Sequence, residues 1–313
     1  MTYKIDGFSK DYYGKIHLED TTAIFTAGWV GIYDKTTNQQ LVSVKSDRLA
    51  AHLSSGHLKA NVIERPYGEQ SSIIYEDFNF DGITDFALAN GRKSCYGGPS
   101  FSVYLVKNHK LSFSKAFTKL AMNYCGMFGV SQEKEQLFTM TKSGCCWHQF
   151  NVYKVKNNSP YLIKSTEEQV IGVTLEIVQS KRVNGKMVER KWQRLNETVF
   201  TDHREGYNDN LLAKFTFPDG KKMFLFNTEK VYYAFTDKND KIELLYDGGF
   251  HYNQQQNCIF FSNGNATYRI YKDKLVVIVN GKTYTLIPTS KLYNFEFLKG
   301  IKTFDLDNLY HAN

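Results

Sequence analysis

The stretch Tyr75-Glu-Asp-Phe-Asn-Phe-Asp-Gly-Ile-Thr-Asp-Phe-Ala-Leu88 decides how the rest of the chain is read. Oxygen side chains stand at Asp77, Asn79, Asp81 and Asp85, and Gly82 follows the third of them. The pattern is D-x-N-x-D-G-x-x-D, the spacing of a calcium loop. Ca²⁺ takes about 6–8 oxygen ligands at roughly 2.3–2.6 Å, and one tight loop supplies most of them. Alternate side chains point the same way, so positions 77, 79 and 81 converge on one ion. Gly82 permits the sharp turn, because glycine alone enters the required backbone region cheaply. The expected metal ligands are therefore Asp77, Asn79, Asp81, the Ile83 carbonyl and Asp85. The bland alternative is an acidic surface turn without metal. Four oxygen side chains and a glycine in one register favour the ion.

The flanks of this loop set the fold class. Counted from Asp77, the twelfth position is Leu88, where an EF-hand carries a bidentate glutamate. Ser-Ser-Ile-Ile-Tyr75 precedes the loop and Phe-Ala-Leu88 follows it, and both read as strands rather than helices. Upstream, 14–18, 23–27 and 29–33 read as three strands, with a turn at 34–38. Residues 46–53 read as a short helix capped by Ser46. Downstream, the glycine-rich 90–100 lacks the G-K-[ST] ending of a phosphate loop. It reads as a turn that places Tyr96 near the calcium site. Hairpins follow around Asn108, between 137–141 and 148–154, at Asn157-Asn158, and at Asn184-Gly185.

From residue 212 onward the chain is a meander. Hairpins turn at Asp219-Gly220, at 237–240, at Asn263-Gly264 and at Asn280-Gly281. Twenty-three Phe and 21 Tyr, with many Val, Ile and Thr, favour strands throughout. The expected fold is all-β, built of antiparallel meanders in a propeller-like or sandwich architecture. A calcium-loop domain over 1–190 and a β-meander domain over 191–313 are expected, with a soft boundary near 190.

Composition narrows the function. The chain is long enough, at 313 residues, for one large or two ordinary domains. Its net charge of +7 is spread over scattered lysines, which suits a solvated surface or a mild attraction to an acidic partner. With no arginine-rich cluster and no nucleic-acid motif, nucleic acid is set aside as a partner. No apolar run reaches the ~18 residues of a membrane span. The opening Met1 to Phe8 shows no signal-peptide core.

The five cysteines are Cys95, Cys125, Cys145, Cys146 and Cys258, and none has zinc-type spacing. Two disulfides and one leftover thiol fit that count. Cys95–Cys125 is one pairing, and one of the vicinal pair with Cys258 is another. Spacing alone leaves the connectivity open, and some are expected simply to be small buried residues.

No catalytic constellation stands out, and the chain is expected not to be an enzyme. G-x-S-x-G and H-E-x-x-H are both absent. Cys145-Cys146-Trp147-His148 places thiols near an imidazole, but neighbours on a strand point to opposite faces, so a structural or disulfide role is favoured. His203-Arg204-Glu205 reads as a polar loop. Glu76 beside Asp77 reads as part of the calcium loop rather than as a glycosidase carboxylate.

The order of four segments carries a resemblance. They are Glu76-Asp-Phe-Asn-Phe-Asp-Gly-Ile-Thr-Asp-Phe-Ala-Leu, Tyr96-Gly-Gly-Pro-Ser-Phe-Ser-Val-Tyr-Leu, Gly144-Cys-Cys-Trp-His and Val183-Asn-Gly-Lys-Met-Val. Over about residues 20–190 the chain resembles bacterial periplasmic immunity proteins. These protect against peptidoglycan-hydrolase effectors of type IV or type VI secretion systems, and carry a calcium loop like those of FG-GAP and integrin repeats. The resemblance implies an inhibitor that plugs the groove of a cognate toxin, with Ca²⁺ rigidifying the frame. It implies a periplasmic location, reached with an export segment and sometimes a lipid anchor that belong to an unprocessed form. The competing expectation is a calcium-dependent surface adhesin or glycan-binding module. A weaker third is a hydrolase with dispersed catalytic residues.

Overall fold

The computed structural model describes residues 1–50, 58–64, 69–199, 210–293 and 307–312. Among them the chain is nearly all β. The first sheet is an antiparallel meander of β1 (Thr2–Ile5), β2 (Tyr12–Leu18), β3 (Thr26–Asp34) and β4 (Gln40–Leu49), in that order. The second is another meander: β5 (Ile73–Glu76), β6 (Asp85–Gly91), β7 (Ser100–Lys107) and β8 (Lys110–Phe113).

The second sheet is buried on both faces, which explains its apolar sequence. Ile73, Phe86, Leu88 and Val106 pack with Ile5, Ile16, Val30 and Ile32 of the first sheet. The alternate residues Ile74, Ala87, Phe101 and Val103 pack on the other side, against Phe117, Leu120, Phe128 and Leu137. Period-two alternation thus feeds two cores at once. Each fully buried Phe or Leu contributes about 1.5–3 kcal/mol.

The second of these cores is closed partly by a helix, α1 (Lys115–Asn123). It starts at Ser114, whose hydroxyl accepts from the Phe117 N–H. Phe117, Leu120 and Ala121 give it one apolar face. The third sheet has the order β14-β13-β12-β11-β10-β9. Its strands are β9 (Gly129–Ser131), β10 (Gln136–Ser143), β11 (Trp147–Lys156), β12 (Ser159–Ile171), β13 (Thr174–Val183) and β14 (Lys186–Leu195).

Two further sheets follow. One has the order β18-β17-β16-β15-β24, from β15 (Leu211–Thr216), β16 (Lys222–Asn227), β17 (Val231–Thr236), β18 (Ile242–Tyr246) and β24 (Ser290–Tyr293). The other is β23-β22-β21-β20-β19-β25, from β19 (Phe250–Asn253), β20 (Cys258–Asn263), β21 (Ala266–Ile270), β22 (Leu275–Val279), β23 (Lys282–Leu286) and β25 (Leu309–Ala312). Phe215, Met223 and Tyr233 of one share a core with Phe250, Phe261 and Ile270 of the other, a sandwich-like arrangement.

The backbone divides into two compact units: Met1–Glu168 with Val178–Arg190, and Gln169–Ile177 with Lys191–Asn313. The division runs through β12, β13 and β14, so the second unit takes a short piece of chain from before residue 190.

The hairpins expected downstream of the loop all form. Asn157, Asn158, Asn184, Asp240 and Asn280 sit at positive φ, as their turns require. Four local expectations change. Residues 46–49 continue β4 instead of starting a helix, because Ser46 is registered against Gly28 of β3. Of the expected helix, 51–53 lie outside the described residues. The expected strands 23–27 and 29–33 are one strand, β3, beginning at Thr26. Helix α1 was not anticipated.

The disulfide pattern is the fourth change. Cys95–Cys125 forms, but Cys145 bonds its neighbour Cys146, and Cys258 is a buried free thiol. Cys258 starts β20 with its side chain in the interior, where it behaves as a small apolar residue.

Candidate metal centre

Four of the five expected ligands lie on the loop between β5 and β6, and the fifth, Asp85, opens β6. That loop is held in a bowl by its own backbone. Asp77 Oδ1 accepts from the N–H of Phe80 at 2.7 Å and of Asp81 at 3.3 Å, and Oδ2 accepts from Gly82 at 2.8 Å. Asp81 Oδ1 accepts from Ile83 at 2.9 Å. Gly82 has φ +84°, and Phe80, with φ +62°, also enters the left-handed region. A phenylalanine there costs of order 1–3 kcal/mol. Its partial burial in the core beneath the loop offsets that cost.

Asp85 anchors the bowl. It is fully buried, and its two oxygens accept from the Phe78 N–H at 3.0 Å and the Val106 N–H at 2.8 Å. Burial pushes its pKa up to about 7, against the pull of those two donors, and the charges of Asp77 and Asp81 push it further. The neighbouring strands explain the absence of a twelfth-position ligand. Leu88 lies inside β6, paired with Ile73 and fully buried.

Three carboxylates therefore crowd one loop, and no recorded ion pair among the described residues includes any of them. No three Asp, Glu, His or Cys side chains converge as a ready-made cage among the described residues. The loop oxygens are engaged by its own N–H groups instead. The donor set is all oxygen, the kind a hard divalent cation prefers.

Two residues outside the loop hold it in place, and neither was evident beforehand. Asn158, on the β11–β12 turn, accepts from Asn79 Nδ2 at 3.0 Å, and the same amide donates to Asp81 Oδ2 at 2.8 Å. Gln132 donates to the Asp77 carbonyl at 2.9 Å. Their separation from the loop in sequence, 79 residues for Asn158 and 55 for Gln132, left no local signal.

Tyr96 belongs to a different place from the one expected. Its hydroxyl accepts from the Gly144 N–H at 2.6 Å, and Lys142 Nζ sits 5.2 Å from its ring centroid. These partners are on the β10–β11 turn, closed by the Cys145–Cys146 bond, rather than on the 77–85 loop. The adjacent Cys95 is tied to Cys125. The vicinal bond takes up both thiols of the Cys-Cys-Trp-His segment. Glu76 ends β5 beside the loop. His203-Arg204-Glu205 lies outside the described residues.

No family model matches the chain, and no curated protein matches it. Among solved structures it is similar to a Xanthomonas type IV secretion system related protein, with 23% identity, a TM-score of 0.46, and coverage of 60% of this chain and 92% of that one. It is also similar to TolB from Acinetobacter baumannii, at 10% identity and a TM-score of 0.23, covering 92% of this chain and 66% of that one. No helix among the described residues is long and apolar enough to cross a membrane.

Proposed function

We propose that this chain is an immunity protein that binds and inhibits a peptidoglycan hydrolase delivered by a bacterial secretion system. In this reading it works in the periplasm, stapled by one Ca²⁺ held by Asp77, Asn79, Asp81, Asp85 and the Ile83 carbonyl. It performs no catalysis of its own.

The observation that carries the reading is the Tyr96 turn. Tyr96 is 65% exposed yet fixed at φ +54°, a costly conformation for tyrosine. A disulfide beside it and a hydrogen bond through its hydroxyl hold it there. A projecting aromatic with few rotors, ordered in advance, is what a groove-plugging inhibitor needs, since little entropy remains to be lost on docking. The order of the four resembling segments supports the same conclusion, because the Tyr96 and Gly144 segments are two of them. The uncompensated carboxylates of the 77–85 loop support the cation.

The test is to mix the purified chain with the hydrolase encoded beside it and measure cell-wall hydrolysis. Inhibition is expected, and Tyr96→Ala should weaken binding at least about thirtyfold, the scale of an interface hot spot, while lost stability stays near the ~1 kcal/mol of its one hydrogen bond to Gly144. Absence of a complex at micromolar concentrations with every neighbouring hydrolase sinks the proposal. Binding to bare peptidoglycan with no protein partner transfers the assignment to a glycan-binding module.

A further inference from the structure

The first unit holds a cavity of about 550 Å³, within the size range of small-molecule sites. Its wall is largely apolar, with Phe25, Leu49 and Phe101 among its residues. Two guanidinium groups stand in that wall. Arg48 lies with its central carbon 5.4 Å from the Phe25 ring centroid, and Arg92 lies 4.3 Å from the same centroid. Neither forms a recorded ion pair among the described residues.

Two like charges share one ring, and burial together with the charge of Arg48 lowers the pKa of Arg92. The backbone brings them together through Gly91, which has φ +126° at an irregularity in the β6–β7 register. That φ favours glycine, and a Cβ there would crowd Ser46 Oγ of β4, the strand on which Arg48 sits, at 3.0 Å. A pair of arginines beside an aromatic ring at a largely apolar cavity offers planar donors to one anionic head and an apolar wall to the body behind it. Glu69 lines the same cavity. Its negative charge disfavours a polyanion and narrows the class to monoanions.

We infer that this cavity is a binding site for a small organic monocarboxylate. The carboxylate sits between Arg48 and Arg92, and its apolar body lies against the accessible Phe25 and Ile24. The inference goes beyond the immunity reading: Tyr96 and the Cys95–Cys125 bond border the same cavity, but the ligand is a small molecule bound by the chain alone, so its titration needs no toxin.

Phenylacetate and octanoate are suitable probes, with phenylacetamide and octanamide as neutral counterparts of the same shape. Calorimetric titration of the full chain is expected to show saturable binding of the acids and at least about tenfold weaker binding of the amides, the scale of a charge-assisted hydrogen bond lost. Arg48→Gln with Arg92→Gln should erase the difference between acid and amide. If that variant fails to fold, Arg92→Lys and intermolecular NOEs on the native chain replace it. The lysine variant should keep a weakened preference for the acids, and the phenylacetate ring should show NOEs to Phe25 and Ile24. The inference is overturned if acid and amide bind alike or neither binds up to about 10 mM. It is equally overturned if the glutamine variant retains the preference or the NOEs fall elsewhere.

Discussion

Asp85 couples the loop to pH. Its carboxyl is raised from 3.8 to about 7 in the folded chain, chiefly by burial. Well below pH 3.8 both folded and unfolded forms are protonated, and folding carries no penalty from this group. As pH climbs from about 4 to about 7, the unfolded chain ionises while the folded one resists. Stability should therefore fall across that window and level off above it, by as much as about 4 kcal/mol from this group alone. A bound divalent cation reverses the sign, because it favours the carboxylates it contacts. Urea midpoints in chelator should thus decline from pH 5 to 7.5, whereas in millimolar Ca²⁺ they should stay level or rise. Asp81→Asn sharpens the distinction, since it removes a repelling charge without metal and a ligand charge with it. It should stabilise slightly in chelator and destabilise in calcium, by roughly 1 kcal/mol each way. The same sign in both conditions would remove the case for a cation. Asn308 is the other residue that bears on stability. It is buried, accepts from the Val231 N–H, and donates to the carbonyls of Val231, Asp247 and Gly248. Asn308→Ala orphans these groups and should cost about 2–4 kcal/mol in urea unfolding. Asn308→Asp should cost at least as much, because it turns a donor into an acceptor facing three carbonyls.

At the scale of the element, the hairpins were legible because each turn carries its own chemistry. Asn280-Gly281 has φ +48° and +75°, the two positive values a tight hairpin demands, and Asn184-Gly185 has +48° and +80°. The errors came where a distant partner overruled a local pattern. Ser46 looked like a helix cap, but pairing with β3 gives 46–49 a strand partner that no local signal announces. Helix α1 was hidden in turn by a strand-rich context, although Ser114 and the Phe117–Leu120–Ala121 spacing mark it. The vicinal bond was missed because adjacent cysteines were assumed to face apart, which holds on a strand but not at the Gly144 turn, where φ is +62°. The Cys95–Cys125 bond spans 30 residues and pins the Tyr96 turn against the chain after α1. Loop-closure entropy puts its contribution at up to about 3–4 kcal/mol. Cys95→Ser with Cys125→Ser should lower the melting temperature accordingly. If the proposed inhibitor role holds, it should also weaken binding of the hydrolase, because Tyr96 then pays its ordering cost on docking. A variant that loses stability but binds as tightly as the native chain would show that Tyr96 is held by other contacts.

At the scale of the whole chain, a cut at the soft boundary expected near 190 passes through a strand, and that makes it damaging. Residue 190 lies in the middle of β14, and the second compact unit includes Gln169–Ile177. Within that unit the Asn196 N–H donates to the Val173 carbonyl at 3.0 Å, and Val173 packs with Leu195, Leu211 and Phe224. None of this was visible beforehand, because Val173 and its partners are far apart in sequence and the hairpin at Asn184-Gly185 hides the return of the chain. A fragment of 191–313 lacks Val173 and begins inside a strand, whereas 169–313 keeps the whole β13–β14 hairpin. The longer fragment should unfold in one cooperative step. The shorter should unfold at lower urea with a smaller slope, as expected when a core edge is exposed and frayed. Loss of Val173 packing and of the Asn196 bond accounts for about 2–3 kcal/mol of that difference. Equal midpoints and slopes for the two fragments would mean that the core around Leu195 and Phe224 closes without β13.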